Sequence, residues 1–168
     1  MYLDIDRPTF SPDGKHFVYK AVKRNMKPVI VFDGKEGKEY DWIEDGFTFS
    51  PNGKHFAYVA ERNKKWFVVL DGKEMKRYDW VKYPTFSPDS KHFAYIAAMG
   101  RGEKYFVVLD GKEIKEYDSV ADISFPIFSP DSKHFAYCVD EVIEKPGRRE
   151  FKEFVVLDGK EIKRYDDI

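Results

Sequence analysis

One seven-residue string, Ser-Pro-Asp/Asn-Gly/Ser-Lys-His-Phe, occurs four times in the chain and constrains its fold more than any other feature. Its histidines are His16, His55, His92 and His134, spaced 39, 37 and 42 residues apart. A second string, Asp-Gly-Lys-Glu, follows each copy, beginning at Asp33, Asp71, Asp110 and Asp158. The longer run Phe-Val-Val-Leu-Asp-Gly-Lys-Glu is identical at 67–74, 106–113 and 154–161. The copies fill nearly all of the 168 residues. A single domain of four repeats is expected, at approximately 1–41, 42–79, 80–118 and 119–168, because repeats of this length bury their core only by stacking on one another.

Each repeat reads as four short strands. Pro8-Thr9-Phe10-Ser11 and its copies form the first. The Pro-Asp-Gly turn follows, with φ preset by proline and turn geometry favoured by Asp and Gly. The second strand is His55-Phe56-Ala57-Tyr58-Val59 and the third Trp66-Phe67-Val68-Val69-Leu70. Asp71-Gly72 then suits a two-residue hairpin turn. The fourth strand is expected from Glu74 to about Trp80. The third strand is apolar on both alternating faces, so its sheet must be covered on both sides. The fourth is rich in Lys, Glu and Arg, as an outer edge should be. Small four-stranded sheets, each sandwiched between neighbours, satisfy both patterns, and a period near 40 with four strands is that of a β-propeller.

At this point the chain resembles a family. Phe-Ser-Pro-Asp-Gly-Lys followed by an apolar strand is similar to the WD-like, PD-type β-propeller repeat found in bacterial and archaeal propellers and in peptidase propeller domains. The resemblance implies an all-β propeller and a binding scaffold. The Trp-Asp pair of standard WD repeats is absent at the end of the third strand, where Leu70-Asp71 stands, so no His–Ser–Trp network is carried over. Residues 2–10 align with 78–86, so the N-terminus reads as the end of a fourth strand plus a first strand, while 161–168 supply a fourth. This is enough for four blades in a ring closed where the terminal strands meet. The favoured arrangement is a four-bladed monomer, and the alternative is two chains forming an eight-bladed ring.

Composition narrows the function. Lys plus Arg is 29 and Asp plus Glu is 30, a net charge of −1 that gives no global pull towards nucleic acid or an anionic membrane. One cysteine excludes an intrachain disulfide framework. The first eight residues have neither a basic nor an apolar signal-peptide region, so a cytoplasmic protein is expected. No phosphate loop, paired-cysteine zinc spacing or Gly-x-Ser-x-Gly elbow is present, and no catalytic residue, metal ligand or cofactor is expected. The four histidines could form a metal ring. Their placement at the opening of the second strand favours capping of the blade interface beside Ala57, Ala94 or Ala136. Cys138, aligned with Lys20, Val59 and Ile96, is expected to be a buried structural thiol.

Length variation is concentrated where second strands pass to third, with the largest insertion at Asp140 to Glu153. Variable loops on a rigid scaffold are where binding residues collect. Arg101, Lys104, Arg148, Arg149 and Lys152 are therefore the expected partner-binding residues. The function expected is a non-catalytic scaffold for a protein partner on that face; the alternative is a small-ligand or metal-binding propeller using its axial channel. Charged residues at 35%, three Asn and no Gln point to a thermostable protein.

Overall fold

The computed structural model describes residues 2–100, 103–118 and 120–166, the side chains of 163–166 excepted. Every regular element among them is a β-strand, grouped in four antiparallel sheets. The chain divides into two compact units, Met1–Arg77 and Tyr78–Ile168, each with two of the sheets. Each sheet is built from one continuous stretch of sequence and is called a blade below.

In the first unit, blade 1 holds β1 (Tyr2–Ile5), β2 (Thr9–Phe10), β3 (Phe17–Lys23), β4 (Pro28–Phe32) and β5 (Lys35–Glu39). Blade 2 holds β6 (Trp42–Ile43), β7 (Thr48–Phe49), β8 (Phe56–Arg62), β9 (Lys65–Leu70) and β10 (Lys73–Glu74). In the second unit, blade 3 holds β11 (Trp80–Phe86), β12 (Phe93–Met99), β13 (Lys104–Leu109) and β14 (Lys112–Asp118). Blade 4 holds β15 (Val120–Ile123), β16 (Ile127–Phe128), β17 (Phe135–Lys145), β18 (Arg148–Leu157) and β19 (Lys160–Asp166). The third strands of blades 1 to 3 are buried along their centres and the fourth strands β5 and β14 are exposed, as the polarity pattern requires: β4 is covered along nearly its whole length and β5 is open throughout.

The strand boundaries differ from the sequence reading in one respect. Trp80 and Val81 open the first strand of blade 3 instead of ending the fourth strand of blade 2, which stops at Glu74. Residues 2–5 likewise pair with β3, inside blade 1. The first strand is long but interrupted. In β11 the register with β12 shifts between Lys82 and Thr85, where Tyr83 takes φ 58° and Pro84 has no N–H to give to the ladder. The same interruption divides β1 from β2, β6 from β7 and β15 from β16.

Both predicted turns are present. Asp33, Asp71, Asp110 and Asp158 have φ of 47–51° and the glycines that follow 75–77°, the pair of left-handed residues of a type I′ hairpin. In the Ser-Pro-Asp turns, Ser11 accepts the Gly14 N–H at 2.9 Å through its carbonyl, and its hydroxyl donates to Asp13 at 2.6 Å.

Two kinds of blade face alternate along the second strands. One bears Phe56, Tyr58 and Ala60, and is called the aromatic face; the other bears Ala57 and Val59, and is called the aliphatic face. In the first unit the aromatic face of blade 2 packs on the aliphatic face of blade 1, joining Phe56, Tyr58 and Phe67 to Val18 and Ile30 in one core. In the second unit Phe135, Tyr137 and Val139 of blade 4 meet Ala94, Ile96 and Val107 of blade 3 in the same way. Phe135 and Tyr137, like Phe56 and Tyr58, are buried.

Candidate functional site

The insertion at Asp140 to Glu153 is not an irregular loop. β17 and β18 pair without interruption from Ala136↔Leu157 out to Lys145↔Arg148, and Pro146-Gly147 close the hairpin with Gly147 at φ 79°. The second strand of blade 4 has 11 residues, against 7 in blades 2 and 3. Four additional residues lengthen the ladder by about 13 Å. Alternating residues within Asp140–Glu153 (Val142 and Ile143 against Phe151 and Glu150) let this charged stretch continue as a ribbon.

The arm is laced by ion pairs. Arg149 Nε lies 2.7 Å from Glu144, Arg148 lies 2.6 Å from Glu150, and Lys145 lies 2.5 Å from Glu150. Lys145 holds the Glu150 carboxyl below the usual range. Among these charges Phe151 is 46% exposed. Lys152 stands opposite Glu141 further down the ladder. Arg148, Arg149 and Lys152 thus share one strand. Lys104 is in β13 of the neighbouring sheet, paired with Glu116 and, at 3.6 Å, with Asp118. Arg101 lies outside the described residues.

The histidines lie at the margins of the blade interfaces, His92 of blade 3 with its ring 6.3 Å from that of Phe128 in blade 4, and they also have a second role. Each is partly exposed and uses Nδ1 to bond the turn aspartate of its own blade: His16–Asp33 at 2.6 Å, His55–Asp71 and His92–Asp110 at 2.8 Å, and His134–Asp158 at 2.7 Å. The other carboxylate oxygen accepts the backbone N–H of the next phenylalanine, at 3.0 Å for Phe17 and 2.9 Å for Phe56, Phe93 and Phe135. The motif therefore clamps the Asp-Gly turn to the start of the second strand. The bond to Asp158, and then its charge, raises the His134 pKa; the same bond lowers that of Asp158. No group of three or more His, Cys, Asp or Glu among the described residues is placed to hold a metal ion.

Cys138 is exposed, against expectation. Its counterparts Val59 and Ile96 are 2% and 0% exposed. The alignment is correct, but it transfers burial only when the same face is covered in each blade.

Sequence reasoning overlooked the blade margins near the Asp-Gly turns. A cleft of about 440 Å³ opens in the first unit between His16, Phe32 and Gly37 on one wall and His55, Phe56 and Asp71 on the other. Its counterpart in the second unit, about 410 Å³, runs between His92, Leu109 and Ile114 and His134, Phe135 and Asp158. Gly37 stands where the other unit has Ile114, and that substitution for an apolar side chain is the sequence signal. Recurrence at the same place marks both clefts as the wedge left where two packed blades splay.

No protein-family model and no curated protein matches the chain. Solved structures do. The β-propeller domain of the trilobed protease from Pyrococcus furiosus superposes with a TM-score of 0.64 at 17% identity, over 99% of this chain and 58% of that one. The chain has a β-propeller fold. Pyrococcus horikoshii acylaminoacyl peptidase gives a TM-score of 0.56 at 15% identity, over 98% of this chain and 32% of that one. Kuenenia stuttgartiensis hydrazine synthase gives 0.50 at 16%, over 89% of this chain and 49% of that one. The chain spans less than two thirds of the length of each.

Proposed function

We propose that this propeller, of the PD-type repeat, is a non-catalytic scaffold that binds a protein partner through the β17–β18 arm. The observation behind this reading is the arm itself: a ribbon paired along its whole length and laced by three ion pairs, with Phe151 exposed among them. A rigid recognition element loses little entropy on binding, and an exposed aromatic supplies the kind of anchor that dominates interfaces. The carboxylates of Glu144 and Glu150 offset the charges of Arg148 and Arg149, so the arm offers a pattern of both signs. Arg101 and Lys104 belong to the same proposed set of partner-binding residues.

The test is capture from a lysate of the source organism on the whole chain and on a chain with residues 142–151 replaced by Asn-Gly, each shown to fold by circular dichroism. Proteins retained by the whole chain and lost from the trimmed one, and weakened by Arg148→Glu with Arg149→Glu, are expected. Identical captured sets would end the proposal. Heat resistance belongs to the same reading: the composition supports a melting midpoint above about 65 °C, beyond the ordinary mesophile range.

A further inference from the structure

The repeats make it possible to compare one position in four blades. Ile43, Val81 and Ile123 pair with the fifth residue of their second strands and are 1%, 2% and 0% exposed; Ile5, at the same position in blade 1, is 53% exposed. Phe56, Phe93 and Phe135 are 5–7% exposed, whereas Phe17 is only half-buried. Phe10, cross-strand from Phe17 on that face, is 68% exposed, while Phe49, Phe86 and Phe128 are half-buried. The aromatic face of blade 1 is therefore open.

Blade 4 shows the complement. On its aliphatic face Ala136 and Val155 are half-buried and Cys138 is exposed. The matching Ala57, Ala94, Val68 and Val107 are all 0% exposed. Ile127 pairs with Ala136 on this face and is 60% exposed, in a place where the other repeats have Thr9, Thr48 and Thr85. The centre of the face is Cys138, where blade 1 has Lys20. An open face that is more apolar than its covered counterparts has the composition of an interface.

We infer that the open aromatic face of blade 1 docks on the open aliphatic face of blade 4 in a second copy of this chain, closing an eight-bladed ring of two chains. The contact needed is one the molecule already makes twice, between blades 2 and 1 and between blades 4 and 3, with the same residue types on each side. Each chain offers one open face of each kind, so two head-to-tail contacts satisfy both chains and leave nothing open.

Light scattering on the full chain tests this first: the expected mass is twice 19.8 kDa. Phe10→Glu alone, and Ile127→Glu alone, should each halve that mass with an unchanged circular dichroism spectrum. Each substitution spoils both junctions of its own dimer. Mixing the two variants should restore the double mass, because the pair keeps one junction with two unaltered faces; a face-to-same-face dimer would not recover. Tyr19→Cys supplies a second thiol. Oxidation of that variant with diamide should link Cys138 to the new thiol of another chain. A single-chain mass at all concentrations, or a disulfide formed within one chain, would overturn the proposal in favour of a ring closed by one chain. Monomeric variants that have lost their strand signal would be replaced by Phe10→Ser and Ile127→Thr, with the same outcomes read.

Discussion

Blades 1 and 2 have nearly the same residues on their aromatic faces and bury them to different degrees. Phe56, Tyr58 and Ile43 lie at 7%, 5% and 1% exposure within a core shared with Val18 and Ile30. Phe17 and Tyr19 are half-buried, and Ile5 is open. Local structure does not explain this, since both second strands pair in the same register with their neighbours. What differs is whether a second sheet covers the face. Burial in a repeat fold is thus a property of position in the stack, and a copied sequence can be core in one blade and open surface in the next.

The largest expected effect is at the phenylalanines. Phe56→Ala removes a ring in contact with Phe49 at 5.0 Å and Phe32 at 5.6 Å, and should cost about 3–5 kcal/mol in urea unfolding. Phe17→Ala should cost about half of that or less at low protein concentration, since part of its area is already in water. Equal losses would remove the distinction between the faces. In a dimer, the Phe17→Ala loss should grow with protein concentration, and the Phe56→Ala loss should not.

Isoleucines sharpen the same contrast. Ile43→Ala should cost about 2–5 kcal/mol, and Ile5→Ala about 0.5 kcal/mol when the chain is dilute. A comparable loss at Ile5 would mean that its face is covered in solution.

A third pair sits on the fourth strands. Glu74 accepts from Arg62 at 2.9 Å, Arg77 at 3.1 Å and Lys38 at 3.3 Å, and its side chain is 17% exposed. The aligned Glu36 binds Lys23 at 2.7 Å and the Tyr2 hydroxyl at 2.5 Å, but is 44% exposed. Burial alone would raise the Glu74 pKa; Arg77, Lys38 and Arg62 outweigh it and lower the value. Glu74→Ala should cost about 1–3 kcal/mol and Glu36→Ala clearly less. A carboxyl with a lowered pKa contributes stability above its unfolded pKa and loses it as pH falls through the folded one. The gap between the two variants should therefore narrow in urea titrations below about pH 4.

Much of this was legible in the residues. The repeat fixed the number of sheets, Asp-Gly fixed the hairpins, and the charged fourth strands marked the outer edges. The histidine clamp was not legible, because its partners lie 16–24 residues apart and meet only after the second and third strands pair. The arm looks like a loop in the sequence because its many charges mask the strand periodicity. Cys138, Ile5 and Phe10 escaped for the opposite reason: alignment makes them equal to buried positions, and nothing in one repeat states what lies beside it. Of the residues proposed to bind a partner, Arg148 and Arg149 are at the tip of the arm and Lys152 is part-way along it.

The smallest effect concerns the clamps, which should be indifferent to the difference between covered and open faces. His134 is at the turn end of blade 4, and its Nδ1 lies 2.7 Å from Asp158. Its pKa is raised first by that hydrogen bond and then by the aspartate charge, while that of Asp158 is lowered. A histidine with a raised pKa contributes stability in full below its unfolded pKa and loses it as pH rises through the folded value. For Asp158 the contribution exists above the unfolded carboxyl pKa and disappears as pH falls through the folded one. Both are present together between about pH 4 and 6.5. A proton NMR titration should place the His134 midpoint above the usual histidine value, and Asp158→Asn should bring it down. The same variant should lower the melting temperature more at pH 5.5 than at pH 8, where the imidazole is neutral and its bond to the aspartate, like that of the Phe135 N–H, is no longer assisted by a positive charge. An Asp158→Asn effect that is equal at the two pH values would show that the aspartate serves the turn through the backbone alone.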